Sequence, residues 1–396
     1  MDVLAFVPFA IWSYLLLARG GFWRVQKQLA PQVPLSAPSR KIIAVIPARN
    51  EAEVIGETVR TLLRQHLPSP LRIIVVDDNS SDGTSGVAKT TAEEMGAGHL
   101  LTVMQGQPLA PGWTGKLWAV SQGVALAETM QPDYFLLTDA DIRHAPHSVW
   151  SLLAIAEQRA CDLTSYMVRL AMETTAEKML IPAFVYFFLQ LYPPKWIAGK
   201  RMKTAGAAGG CMLIRPEALA RMGGIAAIRH EVIDDCALAK AVKRSGGSLW
   251  LGLTDTAESF RSYGGFAGVG RMISRSAFSQ LRHSTPLLAL TVIGLFITYL
   301  LGPISLLTRR TVPMALGAAA WLLMSLSYLP MVRFYKRPAL WCLSLPFVAA
   351  FYAGATVHSA WQYWRGQGGV WKGRIQDANA DARSVNSDAD SVSKYT

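Results

Sequence analysis

Three near-continuous apolar runs, residues 286–307, 312–332 and 338–361, constrain this chain more than any other feature. A helix needs about 20 apolar residues to cross the hydrocarbon core of a bilayer, and each run is long enough. Buried core helices are the alternative, but so little charge across three neighbouring runs favours spans. Trp321, Trp341, Trp361, Tyr363 and Trp364 supply interfacial aromatics where they fall near span ends. An earlier run, residues 3–17, is short for a span. Its positive charges (Arg19, Arg24, Lys27) follow it rather than precede it, and Ala18-Arg19-Gly20 is a poor cleavage site. Residues 1–20 are therefore expected to form an uncleaved anchor rather than a signal peptide, with the following side in the cytoplasm. Counting spans puts Arg333, Lys336 and Arg337 inside but Arg309 and Arg310 outside. Gly302-Pro303 is a point where the first of the three runs could break, so the orientation of the last span stays open.

Between these apolar ends the composition is that of an ordinary α/β domain. The chain is 51% hydrophobic and 17% charged, with a formal net charge of +12. Such a balance suits either nucleic acid or an anionic membrane surface. The basic residues flank the apolar runs and no RNA-binding signature appears, which favours the membrane and excludes nucleic acid. The four cysteines (Cys161, Cys211, Cys236, Cys342) form no C-x-x-C pair, so neither a zinc site nor a disulfide framework is expected. A further apolar stretch, 179–197, is rich in aromatics and ends near Pro193-Pro194. It reads as an interfacial helix on the bilayer or as a buried core helix. Residues 261–285 read as an interfacial amphipathic segment, in which Arg271 and Arg275, four apart, share one helical face and suit a pyrophosphate or anionic headgroups. The tail 376–396 is Asp, Ser, Ala and Asn and is expected to be disordered.

Residues 41–46 (KIIAVI) are a strand of the kind buried on both faces of a parallel sheet. They end at Pro47-Ala48-Arg49-Asn50-Glu51, and a helix with an apolar stripe follows. Strand 72–76 stops at Asp77-Asp78, strand 101–104 is short, and strand 134–137 stops at Thr138-Asp139-Ala140-Asp141. Strand, helix, strand at this spacing predicts a sheet with right-handed crossovers. Ligands bind at the carboxyl ends of such strands, so the polar clusters should converge on one crevice.

Asp139 and Asp141 stand at i and i+2 after a buried strand, so in extended backbone both carboxylates face one side. A hard divalent cation, Mn2+ or Mg2+, bound with a diphosphate takes one or two protein carboxylates, the phosphates and water completing its shell; a solvated acidic turn is the alternative. Asp77 and Asp78 can accept hydrogen bonds from a base or ribose, with Pro47, Arg49, Asn50 and Glu51 completing a nucleoside pocket; turn capping fits Asn79 and Asp82 better. Lys116, in Gly112-Trp113-Thr114-Gly115-Lys116, lacks the P-loop pattern yet suits a metal–diphosphate site; a surface lysine is the alternative. Asp234 and Asp235 precede an apolar helical stripe. One could cap the helix while the other, with Asp235 the better candidate, acts as general base. His144 and His147, at i and i+3, read as metal ligands or as satisfied surface histidines.

Together these residues resemble glycosyltransferase family 2, the inverting transferases with a GT-A fold. The stretches are VIPARNE (45–51), VVDDNSSDGT (75–84), LLTDADI (136–142), GGCMLIRPEAL (209–219) and IDDCALAKAVKRSG (233–246). The resemblance implies an α/β catalytic domain over residues 40–260, a Rossmann-like mixed, mostly parallel sheet flanked by helices, with transmembrane helices at 286–364. It also implies a nucleotide pocket at Asp77 and Asp78, a metal aspartate at Asp141 and a catalytic base at Asp235. Processive members carry Q-x-x-R-W near the membrane; here Met272-Ile273-Ser274-Arg275-Ser276 keeps only the arginine, which places Arg275 among the donor-binding candidates and favours transfer of a single sugar. The membrane plan and the GWTGKLWA loop (112–119) resemble the ceramide-glucosyltransferase-like branch, most closely the hopene-associated glycosyltransferases of hopanoid biosynthesis. The expected function is transfer of one sugar from a nucleotide-sugar, a UDP-sugar, to a membrane lipid at the cytoplasmic face of a bacterial-type inner membrane. The rivals are a processive polysaccharide synthase and a non-catalytic membrane scaffold with a degenerate transferase domain.

Overall fold

Isoleucine- and valine-rich segments with no internal polar residue lose least by being covered on both faces, and they make the centre of the sheet. The computed structural model describes residues 2–25, 39–367, 370–371 and 374–375; the tail 376–396, expected to be disordered, lies outside them. The chain divides into two compact units.

One unit comprises residues 26–171, 197–261 and 370–396. Its strands are β1 (Ile42–Ala48), β2 (Arg72–Asp77), β3 (Leu101–Gln105), β4 (Tyr134–Thr138), β5 (Ile142–His144), β6 (Leu163–Arg169), β7 (Cys211–Ile214) and β8 (Leu249–Ser259). They form one sheet in the order β3-β2-β1-β4-β7-β6-β8-β5. The first four run parallel, β7 is antiparallel to both β4 and β6, and β8 is parallel to β6. Every residue of β1 and β4 is buried. The carboxyl ends of β1, β2 and β4 therefore share one edge, and β7 starts at that edge because Cys211 sits opposite Thr138. The helix Ala52–Leu63 buries Val54, Ile55, Val59 and Leu62. The helix Gly115–Glu128 lies flush on the sheet at Gly123, where an added Cβ would come within 2.5 Å of Val45 and 2.8 Å of Val76.

The other unit comprises Met1–Val25, Met172–Trp196 and Ser262–Gly369. Three of its helices are long and apolar enough to cross a membrane: Thr285–Thr308, Thr311–Phe334 and Ala339–Trp364. Gly302-Pro303 does not break the first. A single π-turn at Phe296–Leu300 lets the helix continue past Pro303, as such turns do where the regular ladder is interrupted. Proline cannot return a hydrogen bond to that turn, and the Trp12 indole N–H donates to the Thr298 carbonyl at 2.7 Å. Trp12 belongs to the N-terminal helix Asp2–Ala18, which packs along Thr311–Phe334.

Of the two sequence readings of 179–197, the structure favours burial over lying on a bilayer. The helix is Thr175–Leu191, and Leu180, Ile181, Val185, Tyr186 and Leu189 are buried. Tyr186 meets Tyr328, and Phe187 meets Tyr299 and Tyr352, edge to face. Its start is fixed by a capping box between Thr174 and Glu177. The Glu177 carboxylate accepts from the Glu173 and Thr174 N–H groups, both at 2.8 Å. It also accepts from the Ser262 hydroxyl at 2.8 Å and from the Tyr263 and Gly264 N–H groups at 2.5 and 3.0 Å. Burial works to raise its pKa, but these bonds, led by those from Thr174 and Ser262, pull it down to about 2. A depressed carboxylate stabilises the fold above its ordinary value of 4.5, and that contribution is lost as pH falls toward about 2. Glu177→Ala, which removes an acceptor shared by five donors, is expected to cost about 3 kcal/mol, read as a lowered melting temperature in detergent at neutral pH. An unchanged melting temperature would show that the clamp contributes nothing.

Candidate active site

The sheet brings three polar strand ends together. Neighbouring strands lie about 4.8 Å apart, so the ends of β2, β1 and β4 fall within about two spacings. At β2, the Asp78 N–H donates to the Ala48 carbonyl at 2.8 Å, tying β2 to β1 past their last residues. The Arg49 guanidinium donates to the Asp78 carbonyl at 2.5 Å and stands 3.6 Å from its carboxylate. Asn50 and Asn79 adopt positive φ (51° and 55°), the left-handed turn conformation asparagine tolerates. Asn50 accepts from the Ser81 N–H at 2.9 Å, and the Glu51 N–H donates to Thr84 at 2.8 Å. Asp77 and Asp78 are both buried, but they differ. Asp77 is engaged by the turn that follows, through the Ser80 N–H at 2.8 Å and the Ser85 hydroxyl. Asp77 therefore joins Asp82, which binds the Ala52 and Thr84 N–H groups, in building the turn, contrary to the sequence reading that kept it out.

At β4, the Lys116 ammonium lies 2.8 Å from Asp139 and 3.0 Å from Asp234. It thus joins the D-x-D turn to the first turn of the helix Asp234–Arg244. Burial works against the Lys116 charge, but the two carboxylates outweigh it and raise its pKa. Asp235 does not cap the helix from outside; Ile233 holds that position. Both acids instead face this cluster. The Asp235 carboxylate accepts from the Gly209 N–H at 2.9 Å and from the Cys236 N–H at 2.7 Å. Gly209 stands just before β7, so the antiparallel insertion of that strand is what delivers its N–H. Burial, then the adjacent negative charge of Asp234, pushes Asp235 up to about 6, with Lys116 and the two N–H bonds opposing. A small cavity between these groups is lined by Pro47, Lys116, Asp139, Gly209 and Asp234, closed by Leu137, Met212 and Leu238.

Asp141 accepts from the Ser259 hydroxyl at 3.0 Å and stands 3.7 Å from the Arg261 guanidinium, which also pairs with Glu51. Burial, then the charge of Asp139, raises its pKa. Among the described residues no group of three or more His, Cys, Asp or Glu could hold a metal ion by itself. The donors present still fit a hard divalent cation: two mutually repelling carboxylates and a hydroxyl are oxygen ligands, and Mn2+ or Mg2+ bound with a diphosphate draws its remaining ligands from phosphate and water.

Three residues here escaped the sequence reading as ligands. Gly209 lay inside a quoted motif but carries no side chain to notice. Ser259 ends β8, a mixed apolar and polar strand without a clean period, and Arg261 follows it two residues on. Arg275 belongs to the other unit, exposed at the C-terminal cap of the helix Phe266–Ser274. His144, read as a metal ligand or a surface histidine, is neither. It is buried in β5 beside Thr138, 3.2 Å from that hydroxyl, and burial lowers its pKa to about 4. His147 is exposed.

Residues 43–223 match the model of Glycosyl transferase family 2. An uncharacterized protein of Methanocaldococcus jannaschii is 32% identical over 109 residues, covering 28% of this chain and 39% of that protein. The undecaprenyl-phosphate 4-deoxy-4-formamido-L-arabinose transferase of Salmonella choleraesuis is 26% identical over 125 residues, covering 31% of this chain and 36% of its own length. The chain thus spans little more than a third of the curated relatives it matches. A mannosyltransferase from Pyrobaculum calidifontis, solved in complex with GDP-Man and Mn2+, aligns with a TM-score of 0.52 at 18% identity. That alignment covers 91% of this chain and 99% of the mannosyltransferase. The likeness is one of fold: a mixed, mostly parallel, GT-A-like sheet with flanking helices.

Proposed function

We propose, from the match of residues 43–223 to the model of Glycosyl transferase family 2, that the chain transfers a single sugar from a nucleotide-sugar, a UDP-sugar, to a membrane lipid with inversion at the anomeric carbon. The observation that carries this reading is the Lys116 ammonium, bound to Asp139 on one side and Asp234 on the other, with Asp235 next in sequence. Metal-type and base-type carboxylates far apart in the chain thereby share one cation.

In this reading Asp78, Arg49, Asn50 and Glu51, with Pro47 and Asp77 behind them, hold the nucleoside, and Lys116 holds the diphosphate. Asp139 and Asp141 would hold Mn2+ or Mg2+, which when bound would supply positive charge to offset that growing on the departing diphosphate. Asp235 takes the proton of an acceptor hydroxyl as its oxygen bonds to the anomeric carbon from the face opposite the leaving group. The carbon–oxygen bond to the diphosphate breaks, and the nucleoside diphosphate leaves with the electron pair. A base with a pKa near 6 is matched to work near neutral pH. The transferase from Salmonella choleraesuis, named for undecaprenyl-phosphate, supports a lipid acceptor in general.

We assign residues 1–20 as an anchor, 40–260 as the catalytic domain, 261–285 as an interfacial segment and 286–364 as spans. The cytoplasmic face of a bacterial-type inner membrane is supported by Arg19 and Arg24 behind the first helix. The GWTGKLWA loop and the membrane plan support an acceptor linked to hopanoid lipids. Two outcomes check the chemistry. Nucleotide-sugar turnover by the purified chain should require Mn2+ or Mg2+ and stop with a chelator; turnover insensitive to chelation would remove the metal from the account. The acid limb of kcat/KM, which reports the free enzyme, should fall with an apparent pKa of about 6, because Asp235 is an active base only above it. A rate flat through that range would take the role from Asp235.

A further inference from the structure

From Lys178 to Pro216 the chain has six cations (Lys178, Lys195, Lys200, Arg201, Lys203, Arg215) and no acidic residue. Three of them crowd onto one short loop, and that loop is built rather than loose. The Lys243 ammonium donates to the Ile197 carbonyl and to the Thr204 carbonyl, both at 2.7 Å, so one buttress closes both ends of residues 198–203. Within the loop the Met202 N–H returns to the Gly199 carbonyl at 3.1 Å, which puts Lys200 and Arg201 at the two corners of a turn. Lys200, Arg201 and Lys203 are exposed, and Met202 between them is exposed as well.

The residues leading into this loop are of the kind that settle at a membrane–water boundary. Arg19 stacks over the Trp196 ring at 4.6 Å and donates to the Gln190 carbonyl at 3.0 Å. Trp23 and Arg24 stack on each other, and the Tyr192 hydroxyl receives the Gln280 amide at 2.6 Å, two residues before Arg282. Lys200 is four residues past Trp196, and four residues of chain reach at most about 14 Å. The turn's cations are therefore tethered within reach of that boundary.

We propose that the loop 198–203 is a headgroup-binding finger, fastened by Lys243, that engages the anionic lipids of the bilayer surface. Its three cations supply the attraction, and Met202 supplies an apolar tip for the headgroup layer. The contact is separate from sugar transfer, since none of these residues belongs to the strand-end cluster.

The test uses the full chain in nanodiscs of phosphatidylcholine alone or mixed with phosphatidylglycerol, reading amide hydrogen exchange in the peptide covering 198–204. Exchange should slow roughly fivefold or more in the anionic discs, the gain expected from one Lys or Arg at such a surface, and raised salt should erase the difference. The triple variant Lys200→Gln, Arg201→Gln, Lys203→Gln should exchange alike in both discs while keeping its nucleotide affinity. Equal exchange of the unaltered chain in the two discs would overturn the proposal. So would equal slowing on adding inorganic phosphate to phosphatidylcholine discs, which would make the loop a site for soluble anions. The readout needs no turnover, so its failure and a failure of the transferase reading are told apart.

Discussion

Asp235→Asn lowers kcat about a thousandfold while leaving donor affinity within about twofold of the unaltered protein, the range set by loss of a positioned general base. Asparagine has the same shape, and its carbonyl oxygen can still accept the Gly209 N–H that meets Asp235 at 2.9 Å, while its NH2 gives up the bond from the Cys236 N–H at 2.7 Å. What it cannot do is take a proton. The substitution is also expected to move the melting temperature at neutral pH by only a few degrees, because relief of the repulsion from Asp234 offsets the lost Cys236 bond. The sign of that relief follows from linkage: a carboxyl whose folded pKa is raised, here to about 6, favours the folded state in its protonated form, and that advantage fades as pH rises from its ordinary 3.8 through about 6. At pH 7 the charged, half-buried Asp235 sits beside Asp234, and neutral asparagine removes that repulsion. Isothermal titration with nucleoside diphosphate, a turnover assay and a thermal scan read the three effects. Lost donor binding with the same kcat would move Asp235 from the acceptor side to the donor side.

Asp141→Ala weakens metal-dependent nucleotide binding by roughly a hundredfold or more, since even outer partners of metal ligands are worth 10–100-fold and this carboxylate is proposed as a ligand. Asp141 is well placed for such a test. Its contacts, Ser259 at 3.0 Å and Arg261 at 3.7 Å, are not carboxylates, and the nearby Asp139 is already paired with Lys116 at 2.8 Å, so none replaces its charge toward a cation. Arg261 retains Glu51 as its partner, so the loop between β8 and the turn after β1 keeps one tie. The loss should appear only with Mn2+ or Mg2+ present. Titrations with a chelator should superpose for variant and unaltered protein. Equal weakening in both conditions would point to a disturbed fold, and no weakening would take Asp141 out of the metal site.

The parts of this site that could be read from sequence are those written in local pattern. The runs at β1, β2 and β4 are apolar without interruption because both their faces are covered, and each stops at a polar cluster, so the crevice at their shared edge follows from period and position. The pairing across β7 does not. Nothing in the spacing of Gly209 and Asp235, 26 residues apart, says that an antiparallel strand enters beside β4 and carries the Gly209 N–H to that carboxylate. Lys116 was a candidate by chemistry, yet its double grip on Asp139 and Asp234 depends on the helix Gly115–Glu128 lying flush at Gly123, a fit of shapes. The helix Thr175–Leu191 shows a different limit. A segment apolar on every side is compatible with burial and with a lipid surface alike, and only the aromatic contacts of Tyr186 and Phe187 distinguish them. His144 was misread because a three-residue strand has too little alternation to announce a buried face.

A transferase of this kind must move sugar from a nucleotide onto lipid. The purified chain, in discs made from bacterial membrane lipid, is incubated with Mn2+ and a panel of labelled nucleotide sugars, and the organic extract is resolved by mass spectrometry. The expected result is one donor whose label enters the lipid phase as a single added sugar, at a rate that Asp235→Asn abolishes. Label that stays in water for every donor, or that enters as a ladder of lengthening chains, would contradict it.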